Sequence, residues 1–385
     1  MRRTIKIVLP FILFAFSFVY INHAASDEKS AKQKRFNSLH KLYFIPQHDL
    51  IVAVCGSVPN GSIRFWSIAD GKLKEIIDLG KDVWARPLAV SNNGNLVVIG
   101  LFTKNETACY SLPERKWLWR ANWVEKGIVG NAMRFTPDDR KLVVVGFKYI
   151  VTYDAETGAM LQTQEDSEGF CAGFPKYNTR NIAVSQSARY AAFWQGRQEA
   201  HEKWWTSKNI WVVVRDIEAE KVIAKQGKMK QKYKNCSGVF TPDEKDLVLG
   251  LLGGHVRVWS VTEQKVVREW NATGSGESDP ITETSSFEAI GSMTFSPKGQ
   301  HLATMGFFKR GFSIRIWDYS TNKQIHEFVD VCSSGLAMGD DYPMAFSPDG
   351  KYFAFEQQGQ LCLYDTQSWQ ERWCVFSWPE DYRVK

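Results

Sequence analysis

Side chains able to do acid, base, nucleophilic or metal chemistry are present in this sequence, but they are not grouped for it. Beyond His23 near the start, the histidines are His40, His48, His201, His255, His301 and His326, scattered along the chain. None stands in a His-Glu-x-x-His arrangement, which would put two metal ligands and a base on one helix face. No Gly-x-Ser-x-Gly nucleophile elbow occurs. Gly250-Leu251-Leu252-Gly253-Gly254 is glycine-rich, yet it lies between two strand patterns and reads as a hairpin, not a phosphate cradle. Asp138, Asp243 and Asp349 each follow a proline in a turn, far apart in the chain, and are poor candidates for a paired acid and base. These residues predict no metal and no cofactor, and lean away from an enzyme.

The seven cysteines, Cys55, Cys109, Cys171, Cys236, Cys332, Cys362 and Cys374, are few for a chain of 385 residues. Disulfides are therefore not its framework. The odd count leaves at least one thiol free or paired with another chain, and no Cys-x-x-Cys zinc spacing occurs. Four Asn-x-Ser/Thr sequons begin at Asn60, Asn105, Asn235 and Asn271, and they matter only in a eukaryotic source.

The elements that position these residues begin after a targeting segment. Arg2, Arg3 and Lys6 lead into an apolar run that ends at Ile21, followed by Asn22-His23-Ala24-Ala25-Ser26. This layout predicts a signal peptide or uncleaved N-terminal anchor over 1–25, a linker over 26–39, and an exported folded part over 40–385. The run is close to the lower limit for spanning a bilayer. Membrane association is expected through this segment alone. The net charge of +6 (48 basic, 42 acidic) falls to +3 without residues 1–25, too even a balance for a nucleic-acid binder. With 44% hydrophobic and 14% aromatic residues, there is ample material for a core.

Self-similarity organises the rest. Phe135-Thr136-Pro137-Asp138, Phe240-Thr241-Pro242-Asp243, Phe295-Ser296-Pro297-Lys298-Gly299 and Phe346-Ser347-Pro348-Asp349-Gly350 open four clear modules. Weaker copies lie at Phe44-Ile45-Pro46, Val90-Ser91-Asn92 and Val184-Ser185-Gln186, so the turn markers fall at 46, 92, 137, 186, 242, 297 and 348. In register with them, a third strand closes at Trp66-Ser67, Tyr110-Ser111, Tyr153-Asp154, Arg215-Asp216, Trp259-Ser260, Trp317-Asp318 and Tyr364-Asp365. Four short strands per module predict an all-β, seven-bladed β-propeller with four antiparallel strands per blade. The shared phase of the Phe and Trp residues predicts packing between blades, with a sugar-stacking platform as the alternative.

Phe-Ser-Pro-Asp-Gly, followed by an apolar strand and then Ile314-Arg315-Ile316-Trp317-Asp318, resembles the WD-repeat and WD-like propellers of exported bacterial proteins. The Gly-His pair that precedes the first strand of a WD repeat is missing from every module, so its His-centred network is not implied. The resemblance implies short turns on one face and variable connections on the other. Here the insertions fall at 166–181 (Phe170, Lys176, Tyr177), 226–237 (Lys232, Tyr233, Lys234), 271–291 and 330–343 (Asp340, Asp341, Tyr342). A long loop in blade four adds Arg197, Trp204 and Trp205.

A rigid ring carrying adaptable aromatic and charged tips suits binding, whereas drift in solvated loops gives the same pattern without function. The leading expectation is a non-catalytic scaffold binding a protein partner through this face. An anionic glycan or cell-wall ligand and a subunit of a periplasmic dehydrogenase are the alternatives. Cys362 and Cys374 are placed symmetrically about the turn between the last two strands, so a cross-strand disulfide is possible there, with buried free thiols as the other outcome.

Overall fold

The computed structural model describes residues 39–55, 60–81, 83, 85–123, 132–146, 149–165, 183–196, 210–229, 237–251, 253–272, 289–308, 311–331 and 342–377. Within them the chain forms 28 strands and two three-residue 3-10 helices, Pro46–His48 and Phe102–Lys104. No helix among the described residues is long and apolar enough to cross a membrane.

The strands make seven four-stranded antiparallel sheets, each in simple chain order. Blade 1 shows the pattern: an inner strand Leu39–Ile45, a second strand Leu50–Cys55, a third strand Asn60–Ser67 and an outer strand Leu73–Lys81. The other inner strands are Ala85–Val90, Ala132–Phe135, Ala183–Val184, Ser237–Phe240, Ala289–Phe295 and Met344–Phe346. Each inner strand touches the inner strand of the next blade, and Met344–Phe346 touches Leu39–Ile45, so the contacts close into a ring of seven. This is a seven-bladed β-propeller.

Burial follows position in the blade. Second strands are covered on both faces and read as unbroken apolar runs such as Ile51-Val52-Ala53-Val54-Cys55, all buried. Outer strands such as Leu73–Lys81 alternate, with one face toward water. The core divides into seven clusters, one at each junction between neighbouring blades. Phe135, Phe240, Phe295, Phe346, Trp66, Trp259 and Trp317 are all buried in these clusters or beside them. A single blade cannot bury both faces, so the ring is the cooperative unit.

Straps cross the junctions at equivalent positions. Trp119 Nε1 in the outer strand of blade 2 donates to the Ala155 carbonyl of blade 3 at 2.9 Å, and Trp373 Nε1 of blade 7 donates to Ile68 O of blade 1 at 2.9 Å. Arg268 of blade 5 reaches Tyr319 O of blade 6 at 2.6 Å. In blade 4, Arg215 stands where other blades carry an aromatic. Its guanidinium donates to Gln164 Oε1 of blade 3 and to Glu220 O in its own turn.

Every turn from the first to the second strand or from the third to the outer strand is short, as at 136–140 between Phe135 and Lys141, and 155–159 between Asp154 and Met160. The opposite ends of the strands carry everything longer. They include 166–182, 197–209, 230–236 and 272–288. The blade 4 outer strand runs on to Met229, which pairs with Ile210, so Lys228 belongs to that strand and not to the connection expected from 226.

Candidate functional site

On the short-turn face, polar side chains are consumed by structure. Thr136 Oγ1 donates to Asp138 Oδ1 at 2.6 Å and accepts from the Lys141 amide at 3.1 Å. Thr241 with Asp243, and Ser347 with Asp349, repeat the contact at 2.7 and 2.6 Å. The Thr136 hydroxyl and the Arg140 amide hold Asp138 below the usual carboxylate range. Burial pushes Asp243 and Asp349 the other way, but hydroxyl and amide donors still keep both low. All three are committed to their own turns.

The next residue links turns of neighbouring blades. Asp139 accepts from the Asn92 and Asn93 amides at 2.7 and 2.9 Å, and Glu244 accepts from Ser187 N and Oγ at 2.6 and 2.7 Å. Two of the scattered histidines also meet on this side of the ring. His326 stacks on Trp369 with centroids 5.4 Å apart, and His301 lies 5.9 Å from the same ring. Burial pushes both imidazoles below their ordinary range, so they pack as neutral rings.

The loop-bearing face holds the residues expected to bind. Phe170, Lys176, Tyr177, Arg197, Trp204, Trp205, Lys232, Tyr233, Lys234, Asp340 and Asp341 lie outside the described residues. Tyr342 is described, and its side chain is only 5% exposed. Its hydroxyl lies between two carbonyl acceptors, Val331 O at 3.1 Å and Glu356 O, and shares its one proton with them, so it is a post in the blade 6–7 junction and not a surface contact. Cys362 and Cys374 are directly opposed in register and joined by a disulfide, with Cα atoms 4.1 Å apart. Cys55 and Cys109 are buried free thiols. Burial pushes both up to about 12, although Arg64 opposes it at Cys55, so neither is a thiolate nucleophile.

The same end of the ring contains a polar clasp that sequence reasoning missed. The Leu39 amide, at the start of the first inner strand, donates to Glu356 Oε2 of blade 7 at 2.8 Å. Arg64 of blade 1 donates to Ser377 O of blade 7 and, through Nε, to Ser62 Oγ at 3.1 Å. Both ionisable side chains are buried. Burial pushes Glu356 up to about 8, with the Leu39 amide only partly offsetting it. Blade 7 takes all four strands from the C-terminal part of the chain, so the ring closes by side-chain packing, the Trp373 strap and this clasp, without strand exchange.

A signal for the clasp does exist in the sequence. Glu356 occupies a second-strand position filled elsewhere by Val54, Gly100, Val145, Trp194, Gly250 and Met305. Arg64 stands two residues before Trp66, as Arg315 does before Trp317, and Arg315 likewise donates across a junction, to Ala272 O.

At the centre of this face, Arg86 Nη2 lies 3.1 Å from His40 Nε2 on the neighbouring inner strand. Among the described residues, no group of three or more His, Cys, Asp or Glu is placed to hold a metal.

No protein-family model matches the chain, and no curated protein matches it in sequence. Its shape is widely shared, with 1654 chains of solved structures matching it. One is Kuenenia stuttgartiensis hydrazine synthase, at a TM-score of 0.62 and 13% identity, covering 86% of this chain and 96% of that one. A fold so widespread does not by itself select an activity.

Proposed function

We propose that this chain is an exported, WD-like propeller that binds a protein partner, without catalysis, through the face carrying its variable connections. One observation carries the reading: long and variable connections are confined to one end of the strands. At the other end every turn is four or five residues long, and Thr136–Asp138, Thr241–Asp243 and Ser347–Asp349 repeat one internal hydrogen bond. Drift in solvated loops has no reason to spare one face, whereas a binding site on a rigid ring varies only where it makes contact. Trp204 and Trp205 in 197–209 offer apolar anchors, and Lys230, Lys232 and Lys234 give a basic patch for an acidic surface. The hydrazine synthase neighbour shares the fold, and at its level of identity lends this chain no reaction. The basic, apolar N-terminus supports export, and the disulfide suits an oxidising compartment.

The test is capture of partners from the native envelope by the wild type and two variants, deletion of 197–208 and Lys→Glu at 230, 232 and 234. A partner held by the wild type and lost by either variant is the expected result. An unchanged set of partners in both variants refutes the reading.

A further inference from the structure

At the junctions from blade 1–2 to blade 6–7 the chain itself passes from the outer strand of one blade to the inner strand of the next. Blades 7 and 1 hold the last strand and the first, and among the described residues only non-covalent contacts join them. Those contacts divide by strand. Ala354, Glu356, Leu361 and Leu363 belong to the second and third strands of blade 7. The rest come from its outer strand, Glu371–Phe376, and from the residue after it. Trp373 donates to Ile68 O and lies so close to Gly71 that a Cβ there would stand 2.8 Å from the indole. Val375 joins the same apolar cluster, and Ser377 O receives Arg64.

Outer strands are hydrogen-bonded along one edge only, so fewer contacts are lost when one opens. In blade 7 this strand is cross-linked. Cys374 falls between Trp373 and Val375, and alternation turns it to the opposite face, where it joins Cys362 beside the blade 6–7 cluster. The bond lies on the far side of the strand from the seam, yet it fixes the strand that carries the outer part of the seam. Among the described residues no other outer strand is cross-linked. Cys362 is 1% exposed and Cys374 only partly buried, so Cys374 is the sulfur that a thiolate in solution reaches.

We propose that the Cys362–Cys374 disulfide is a redox latch on the ring: its reduction by a dithiol frees the outer strand of blade 7 and loosens the junction with blade 1, and reoxidation closes it. A thiolate of the dithiol attacks Cys374 Sγ, the S–S bond breaks, and Cys362 leaves as a thiolate and takes up a proton. The second thiol of the reagent then displaces Cys374, which is protonated in turn. The dithiol thus gives up two electrons and two protons and closes as its own disulfide. The Leu39–Glu356 bond and the packing of the second and third strands stay in place, so the ring loosens at one seam without unfolding.

Two buried thiols serve as reporters. Cys55 lies in the seam cluster and Cys109 in the cluster between blades 2 and 3, and both are 0% exposed. The full-length protein is prepared oxidised, reduced with dithiothreitol, or carrying Cys362→Ser with Cys374→Ser. After removal of the reductant each sample is pulsed with N-ethylmaleimide, and labelled cysteines are mapped by peptide mass spectrometry. Cys55 is expected to react about tenfold faster, or more, in the reduced and the doubly substituted protein, with Cys109 unchanged. Oxidised glutathione should return the reduced protein to the slow rate. Survival of the bond in the folded protein under dithiothreitol, an unchanged Cys55, or equal acceleration at Cys109 overturns the proposal. No partner protein enters the assay, so the outcome is independent of the loop variants above.

Discussion

Replacing Glu356 by Gln probes the seam where the ring closes. The carboxyl is buried against the Leu39 amide, and burial raises it from 4.5 to about 8. The folded state therefore holds a proton that the unfolded chain has released between these two values. With more protons bound in the folded state, stability falls as pH rises through this window and is level outside it. A rise of that size corresponds to an upper bound of about 5 kcal/mol, at about 1.4 kcal/mol per pH unit. Gln keeps the shape and an oxygen for the Leu39 amide, but does not ionise. Urea unfolding of both proteins, followed by tryptophan fluorescence from pH 4.5 to 8.5, supplies the comparison. Burial also lowers His301 and His326, which reduces stability as pH falls below the ordinary imidazole range, and taking the difference between the two proteins removes that contribution. Glu356→Gln is expected to match the wild type near pH 4.5 and to gain steadily above it, by several kcal/mol at pH 8.5. Parallel curves, or a gain toward low pH, refute the reasoning.

Two other perturbations have defined expectations. Trp317 Nε1 donates to the buried Thr304 Oγ1 at 2.9 Å, so Thr304→Val, which keeps the shape but removes the acceptor, should cost about 1–3 kcal/mol in denaturant unfolding. The Cys362–Cys374 disulfide closes a separation of 12 residues, and Cys374→Ser should lower stability by about 3 kcal/mol on the chain-entropy estimate, with intact-mass measurement before and after alkylation confirming the bond in the wild type.

The ring was legible because it repeats. A Phe-x-Pro-x turn and an aromatic closing the third strand recur in phase, and the physics of one blade is the physics of seven. The Cys362–Cys374 pair was accessible because a hairpin relates its two strands by simple symmetry about their turn. The seam was not legible, because its partners are remote in the chain. Leu39 meets Glu356 across 317 residues and Arg64 meets Ser377 across 313, and no local pattern joins them. Tyr342 misled for a related reason. It follows Asp340-Asp341 and reads as part of a charged loop tip, yet it directly precedes Pro343 and the last inner strand, where its ring fills the blade 6–7 junction.

Whether the variable face is the binding face is tested most directly by radical footprinting of the protein in its native envelope, compared with the purified protein. Protection confined to 166–182, 197–209 and 230–236, with the turns at 137–140, 242–245 and 348–351 equally reactive in both samples, is the predicted result. Protection of those short turns with the long connections unchanged would contradict it.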